Sequence, residues 1–146
     1  MRLTNSARPW ELEPSDINAL LARNTVGRLA FARGGQIDVL PIQYVFRDGS
    51  IYGRTAAGGK LAALGSLGAT VAFEVDEIHS ARVWRSVLAH GTFYVLDSNS
   101  EREGWLTALQ IVRRLHPDAL HDDDARPERS QIFRIVVHDA TGRALG

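Results

Sequence analysis

Two glycine-bearing dipeptides, Gly34-Gly35 and Asp48-Gly49, do most to limit the folds open to this chain. Each lies between β-prone runs, residues 26–33, 36–47 and 50–55. Two-residue turns of this composition accept positive φ and match the twist of the strands they join, so both read as hairpins. Strands joined in this way pair antiparallel. Further β-prone runs at residues 69–75, within 79–96 and at 131–137 bring the expected total to about six strands. Short helices are expected over residues 15–23 and 60–67, and a longer one from Ser98 or Ser100 to about Leu115, with Trp105, Leu109, Val112 and Leu115 on one stripe. Residues 1–13 read as irregular. Pro41 cannot donate to a ladder, so it belongs at an edge, a bulge or a ligand face. Gly91 marks a bend or bulge in the longest run. Many short strands with glycine turns favour a small closed or partly closed barrel. No GxGxxG turn is present, and the βαβ alternation of a doubly wound dinucleotide fold is missing.

Composition narrows the function classes. The 146 residues fit one domain, and a hydrophobic share of 45% is enough for a conventional core. Lysine plus arginine number 17, and so do aspartate plus glutamate, so the formal net charge is zero. A dedicated nucleic-acid binder carries a basic excess, and so does a protein drawn to anionic membranes; neither partner is expected here. The chain has no cysteine, which removes disulfides, thiolate metal sites and cysteine nucleophiles. The start, MRLTNSARPWELEPSD, lacks the apolar run of a signal peptide, and no stretch approaches 18 apolar residues. A cytoplasmic location is the expectation.

The stretch IYGRTAAGGKLAAL, residues 51–64, concentrates the polar chemistry. Its β-prone start leads into Arg54 and Thr55, then a small-residue turn through Gly58 and Gly59, then Lys60 at the head of a helix. Two cations, a hydroxyl and free backbone N–H groups suit a phosphate. The competing reading is a strand-to-helix corner with two solvated cations.

Other candidates carry less. None of the five histidines pairs at metal-ligand spacing, and no metal is expected. The acidic run Asp122-Asp123-Asp124 beside His121 reads as a solvated loop. No GxSxG elbow frames a nucleophile; the nearest serines, Ser66 and Ser86, lack that context. Glu74 and Asp76 share a strand face and read as solvent-facing. Trp84 and Ser86 also share a face, where an indole beside a hydroxyl can cover a flat aromatic ligand; a tryptophan anchoring the core is the commoner use. No catalytic acid or base can be named from the sequence.

Five pieces in order resemble the pyridoxamine 5′-phosphate oxidase-like family of flavin-binding split β-barrels. They are Gly27-Arg28-Leu29-Ala30; Leu40-Pro41-Ile42-Gln43-Tyr44-Val45; Ile51-Tyr52-Gly53-Arg54-Thr55 with Gly59-Lys60; Phe73-Glu74-Val75-Asp76; and Trp84-Arg85-Ser86-Val87 followed by Gly91. The nearest branch is that of the nitroimidazole-resistance proteins and small actinobacterial relatives. The resemblance implies one six-stranded antiparallel split β-barrel domain, a homodimer, and FMN at the subunit interface. It implies phosphate contacts at Arg54, Thr55, Gly59 and Lys60, strand backbone from Val39 through Leu40 and Pro41 to Ile42 beside the flavin ring, and Trp84 and Ser86 close by. The function implied is an FMN-dependent oxidoreductase acting on a small molecule. Asp38 and Gln43 stand where true pyridoxamine phosphate oxidases carry cations, which argues against that vitamin oxidase reaction. A reductase using deazaflavin, with Arg28, Arg33 and Arg85 lining a groove, is one alternative. A flavin- or haem-holding sensory module without turnover is another.

Overall fold

The computed structural model describes residues 8–65 and 68–146, so part of the expected helix over 60–67, including Ser66, and most of the expected irregular segment lie outside the described residues. The elements in chain order are β1 (Trp10–Glu11), α1 (Pro14–Arg23), β2 (Val26–Arg33), β3 (Gln36–Gln43), β4 (Val45–Arg47), β5 (Ser50–Thr55), α2 (Lys60–Leu64), β6 (Ala69–Ser80), β7 (Val83–Val95), α3 (Arg102–Val112) and β8 (Gln131–Leu145). All strand pairings are antiparallel.

The sheet has eight strands in the order β3-β2-β6-β7-β8-β5-β4, with β1 added on β8. The count exceeds the six expected for two reasons. Trp10–Glu11 pairs with the end of β8, and the run expected over 36–47 divides at Tyr44 into β3 and β4. The two ends of the sheet, β3 and β4, are separated by Tyr44 alone. A sheet whose outermost strands are consecutive in the chain has to curl until its edges meet, which makes a barrel split between β3 and β4. Tyr44 sits at the seam with its side chain buried. Its hydroxyl donates to the Leu21 carbonyl at 2.7 Å, and its ring meets Phe73 edge-on at 5.0 Å.

Alternation builds the interior. Leu29 and Phe31 of β2, Val71, Phe73 and Val75 of β6, Val87, Ala89 and Phe93 of β7, and Phe133 and Ile135 of β8 all turn inward. Each is buried, and each of these side chains except Ala89 contributes on the order of 1.5–3 kcal/mol relative to exposure. Helix α1 adds Ile17, Leu20 and Leu21 to this core. Its first turn carries Pro14, which lacks the N–H that a helix start leaves unused. A smaller second core forms under α3, where Leu109 and Val112 of the expected stripe pack with Ile111 against Tyr52 and Ile132. Pro41 lies on the edge strand β3, opposite Arg28. Gly91 lies at a register shift between β7 and β8, where a Cβ would strike the Val136 carbonyl.

Candidate functional site

At the split in the barrel lies a cavity of about 430 Å³, a size typical of small-molecule sites. Its floor is Leu40, Pro41, Ile42 and Gln43 of β3, with Val26 and Leu61 beside them. Strand β3 pairs on one side only, so its outer edge offers unpaired backbone donors and acceptors to whatever occupies the cavity. The end of β5 adds Arg54, Thr55 and Ala56. A strap of chain between α3 and β8, residues 113–130, supplies His116, Arg126, Glu128 and Arg129.

Arg54 has already found an anion. Its guanidinium forms a bidentate pair with Asp124, at 3.2 Å from Nη1 to Oδ1 and 2.5 Å from Nη2 to Oδ2. The two side chains are only 6% and 3% exposed. The same guanidinium donates from Nε to the Arg129 carbonyl at 2.9 Å and from Nη2 to the Arg126 carbonyl at 3.0 Å. Four of its five N–H groups are therefore used, and one on Nη1 remains. Asp124 in turn accepts the backbone N–H groups of Leu120 and Arg126, each at 2.9 Å. These bonds, Arg54 first among them, hold the Asp124 carboxyl well below the usual carboxylate range. The expectation of a solvated acidic loop therefore fails at Asp124, because a buried guanidinium needs a counter-ion and this loop provides it.

Charge compensation decides which cation is left for a ligand. Arg54 is balanced by Asp124, and Arg126 donates to Glu128 at 2.6 Å. His116 has its pKa lowered, chiefly by burial and then by the Arg54 charge, so it is neutral near pH 7. Arg129 has no ion pair among the described residues. The lining therefore carries one uncompensated positive charge, at Arg129, with the Thr55 hydroxyl also on the wall.

The structure gathers Leu40, Pro41, Ile42, Arg54 and Thr55 around this cavity. Gly59 and Lys60 do not line it. Lys60 Nζ stands 3.7 Å from Asp38 Oδ2, and Arg33 Nε stands 3.6 Å from the same oxygen. Asp38 Oδ2 is buried and accepts no hydrogen bond, so it draws on both cations at a distance longer than a bond. Val39 does not line the cavity and is 58% exposed. Trp84 and Ser86 line a different depression, of about 380 Å³, with Asp76, Ile78 and Arg85. Arg28, considered for a groove, is paired with Glu74 at 2.8 Å and Asp76 at 2.9 Å. Glu74 and Asp76 share the outer face of β6, as expected, with side chains 32% and 28% exposed and both turned to Arg28. Burial, followed by the Asp76 carboxylate, to which only a protonated Glu74 can donate, raises the Glu74 pKa against the effect of Arg28.

Sequence reasoning missed His116, Asp124, Arg126 and Arg129. The local signal was thin: an aspartate two residues before Arg126, ahead of Pro127, has the spacing of an Asx turn.

The pyridoxamine 5′-phosphate oxidase family model matches residues 13–144. The chain belongs to that family. A search of curated proteins returns no match. Among solved structures, an FAD-binding protein from Mesorhizobium loti is 27% identical with a TM-score of 0.72, covering 94% of this chain and 99% of its own. An FAD- and haem-binding protein from Mycobacterium smegmatis is 17% identical with a TM-score of 0.65, covering 91% and 71%. A candidate 5-nitroimidazole antibiotic resistance protein from Bacteroides thetaiotaomicron is 13% identical with a TM-score of 0.64, covering 94% and 87%. At these identities the last two share the fold alone. In this family member no described helix is long and apolar enough to cross a membrane.

Proposed function

We propose that the protein binds a flavin nucleotide in the barrel-split cavity and serves as a flavin-dependent oxidoreductase acting on a small molecule. The observation that carries this reading is the pairing of chemistries in one cavity. A free strand edge at Leu40–Gln43 lies across from a polar end with Thr55 and one uncompensated arginine. A flavin has the matching halves: a flat ring with hydrogen-bonding edges and a phosphate-bearing tail. The similarity to the Mesorhizobium loti FAD-binding protein supports the same ligand class. FMN is the form expected; when bound, the flavin would supply the hydride chemistry, while the chain's residues bind and orient it. The cytoplasm, where reduced nicotinamide donors are found, is the proposed location.

A homodimer belongs to this reading. Val39, Ile37 and Leu88 are exposed apolar residues on the outer face of the sheet, and Trp84 and Ser86 lie on the same face. A second copy covering this face would bring Trp84 and Ser86 toward a flavin held on β3, joining two groups of residues that one chain keeps apart. The test is a visible spectrum and mass spectrum of the purified protein, followed by titration of the apoprotein with FMN, FAD and deazaflavin. Saturable FMN or FAD binding with flavin absorbance supports the reading. Binding of deazaflavin alone, or of no flavin, overturns it.

The similarity to the FAD- and haem-binding Mycobacterium smegmatis protein favours one other reading, a cofactor-holding module without turnover. Rapid reduction of the bound flavin by NADPH, with reoxidation by an added acceptor, would reject that module.

A further inference from the structure

The sequence points to the β5 corner, with Arg54 and Lys60, as the cationic end of the site. The structure redistributes those charges. Lys60 stands next to Asp38 and does not line the cavity. Arg54 is wrapped by Asp124 and by the carbonyls of Arg126 and Arg129. All three of its partners belong to the strap. Its role is to hold the strap against β5, with at most one N–H left for a ligand.

We infer that the strap supplies the phosphate anchor of the site: Arg129 takes the anionic tail, and Asp124 is a positioning residue that, through Arg54, holds Arg129 at the cavity wall. The inference rests on the phosphate-tail reading above and names the residues that discriminate a phosphorylated ligand from its dephosphorylated form. Three observations carry it. Arg129 is the uncompensated cation of the lining, and a planar guanidinium suits a phosphate bidentately. Its own carbonyl is fixed by Arg54 Nε at 2.9 Å, so the backbone that bears it is tied directly to the latch. The Asp124 carboxylate has all its bonds inside the protein: two from the Arg54 guanidinium and two from strap N–H groups. It is therefore placed to organise the strap and has no lone pair that must be met by a ligand. Ligand charge is then read by a segment whose position depends on an ion pair between β5 and the strap.

The test compares riboflavin with FMN, since they differ by the phosphate alone, using fluorescence quenching on the apoprotein. The proteins are wild type, Arg129→Ala, Asp124→Asn, Asp124→Glu and Lys60→Ala, each checked by circular dichroism for an intact fold. Wild type should prefer FMN by tenfold or more, in line with one charge-assisted phosphate contact of about 1.5–3 kcal/mol. Arg129→Ala should bring the ratio close to one while riboflavin binding stays unchanged; Asp124→Asn should lower the ratio with a smaller loss of riboflavin affinity from the loosened wall, and Asp124→Glu should restore part of the preference. Lys60→Ala should keep the wild-type ratio. An unchanged ratio in Arg129→Ala, or loss of riboflavin and FMN binding in equal measure, overturns the inference and leaves the flavin reading standing. A second arm titrates inorganic phosphate and follows the Arg129 Nε–H resonance by NMR. If no flavin binds but phosphate shifts that resonance saturably in wild type and fails to do so in Asp124→Asn, the flavin reading falls and the anchor stands. If neither flavin nor phosphate binds, both fall.

Discussion

Arg54 on β5 and Asp124 in the strap stand 70 positions apart in the chain and meet as a bidentate pair, 6% and 3% exposed. The pair ties the longest irregular segment of the described chain to the barrel and thereby completes the cavity wall. Its pH response has a definite sign. The Asp124 pKa is depressed on folding, so the stabilisation it gives is complete above the ordinary carboxylate pKa of about 4 and is lost only as pH falls toward the depressed folded value. Amide exchange of Leu120 and Arg126, whose N–H groups Asp124 accepts, should show equal protection factors at pH 7 and pH 5 and reduced protection only in stronger acid. Loss of protection at pH 5 would contradict the pairing.

The Tyr44 hydroxyl is a buried donor with one partner, the Leu21 carbonyl. Removing it in Tyr44→Phe leaves the ring packed on Phe73 but orphans that acceptor. The expected loss is about 1 kcal/mol, a fall in Tm of about 2–4 °C by calorimetry.

Two glycines should respond differently to alanine. At Gly91 an added Cβ strikes the Val136 carbonyl, which is backbone and cannot move aside. Gly91→Ala should destabilise by about 2–3 kcal/mol in urea unfolding. At Gly34 the new Cβ meets nothing, and the only strain is from φ of +57°, so about 1 kcal/mol is expected there.

Arg23 and Glu77 form an ion pair at 2.7 Å across α1 and β6, with side chains 50% and 20% exposed. Hydrogen bonds from Arg23, then Asn24, lower the Glu77 pKa to about 2. This pair stabilises above the ordinary glutamate range, and its contribution fades as pH drops from about 4 to about 2. Solvent screening keeps it small: Glu77→Gln should lose under about 1 kcal/mol at neutral pH, and less in high salt.

If the outer sheet face joins two copies, a charge there should separate them. Val39→Asp places a carboxylate at a position that is 58% exposed in the single chain. Light scattering should read a dimer for wild type and a monomer for the variant, with far-UV circular dichroism unchanged. A wild-type monomer would remove the dimer from the functional reading.

Much of the barrel was legible in the residues themselves. Gly34-Gly35 and Asp48-Gly49 set two hairpins, alternation in VGRLAFAR set which side chains fill the interior, and Pro41 marked an edge. These are local properties, fixed by backbone sterics and by the period of two along a strand. Tyr44 and the pairing of Trp10–Glu11 with β8 escaped, since both depend on where distant chain segments arrive. The corner at Arg54 and Thr55 was recognisable as cationic from its residue types. What each cation does there was decided by tertiary structure. Asp38 attracts Lys60 across the gap between β3 and α2, and Asp124 reaches Arg54 from a loop that composition alone marks as solvated. Ion pairing depends on burial and on distances of a few ångströms, and neither is written in the order of residues. The sequence by itself determined an antiparallel barrel with a polar corner; folding decided that the corner's arginine holds the strap and that the strap presents the free charge.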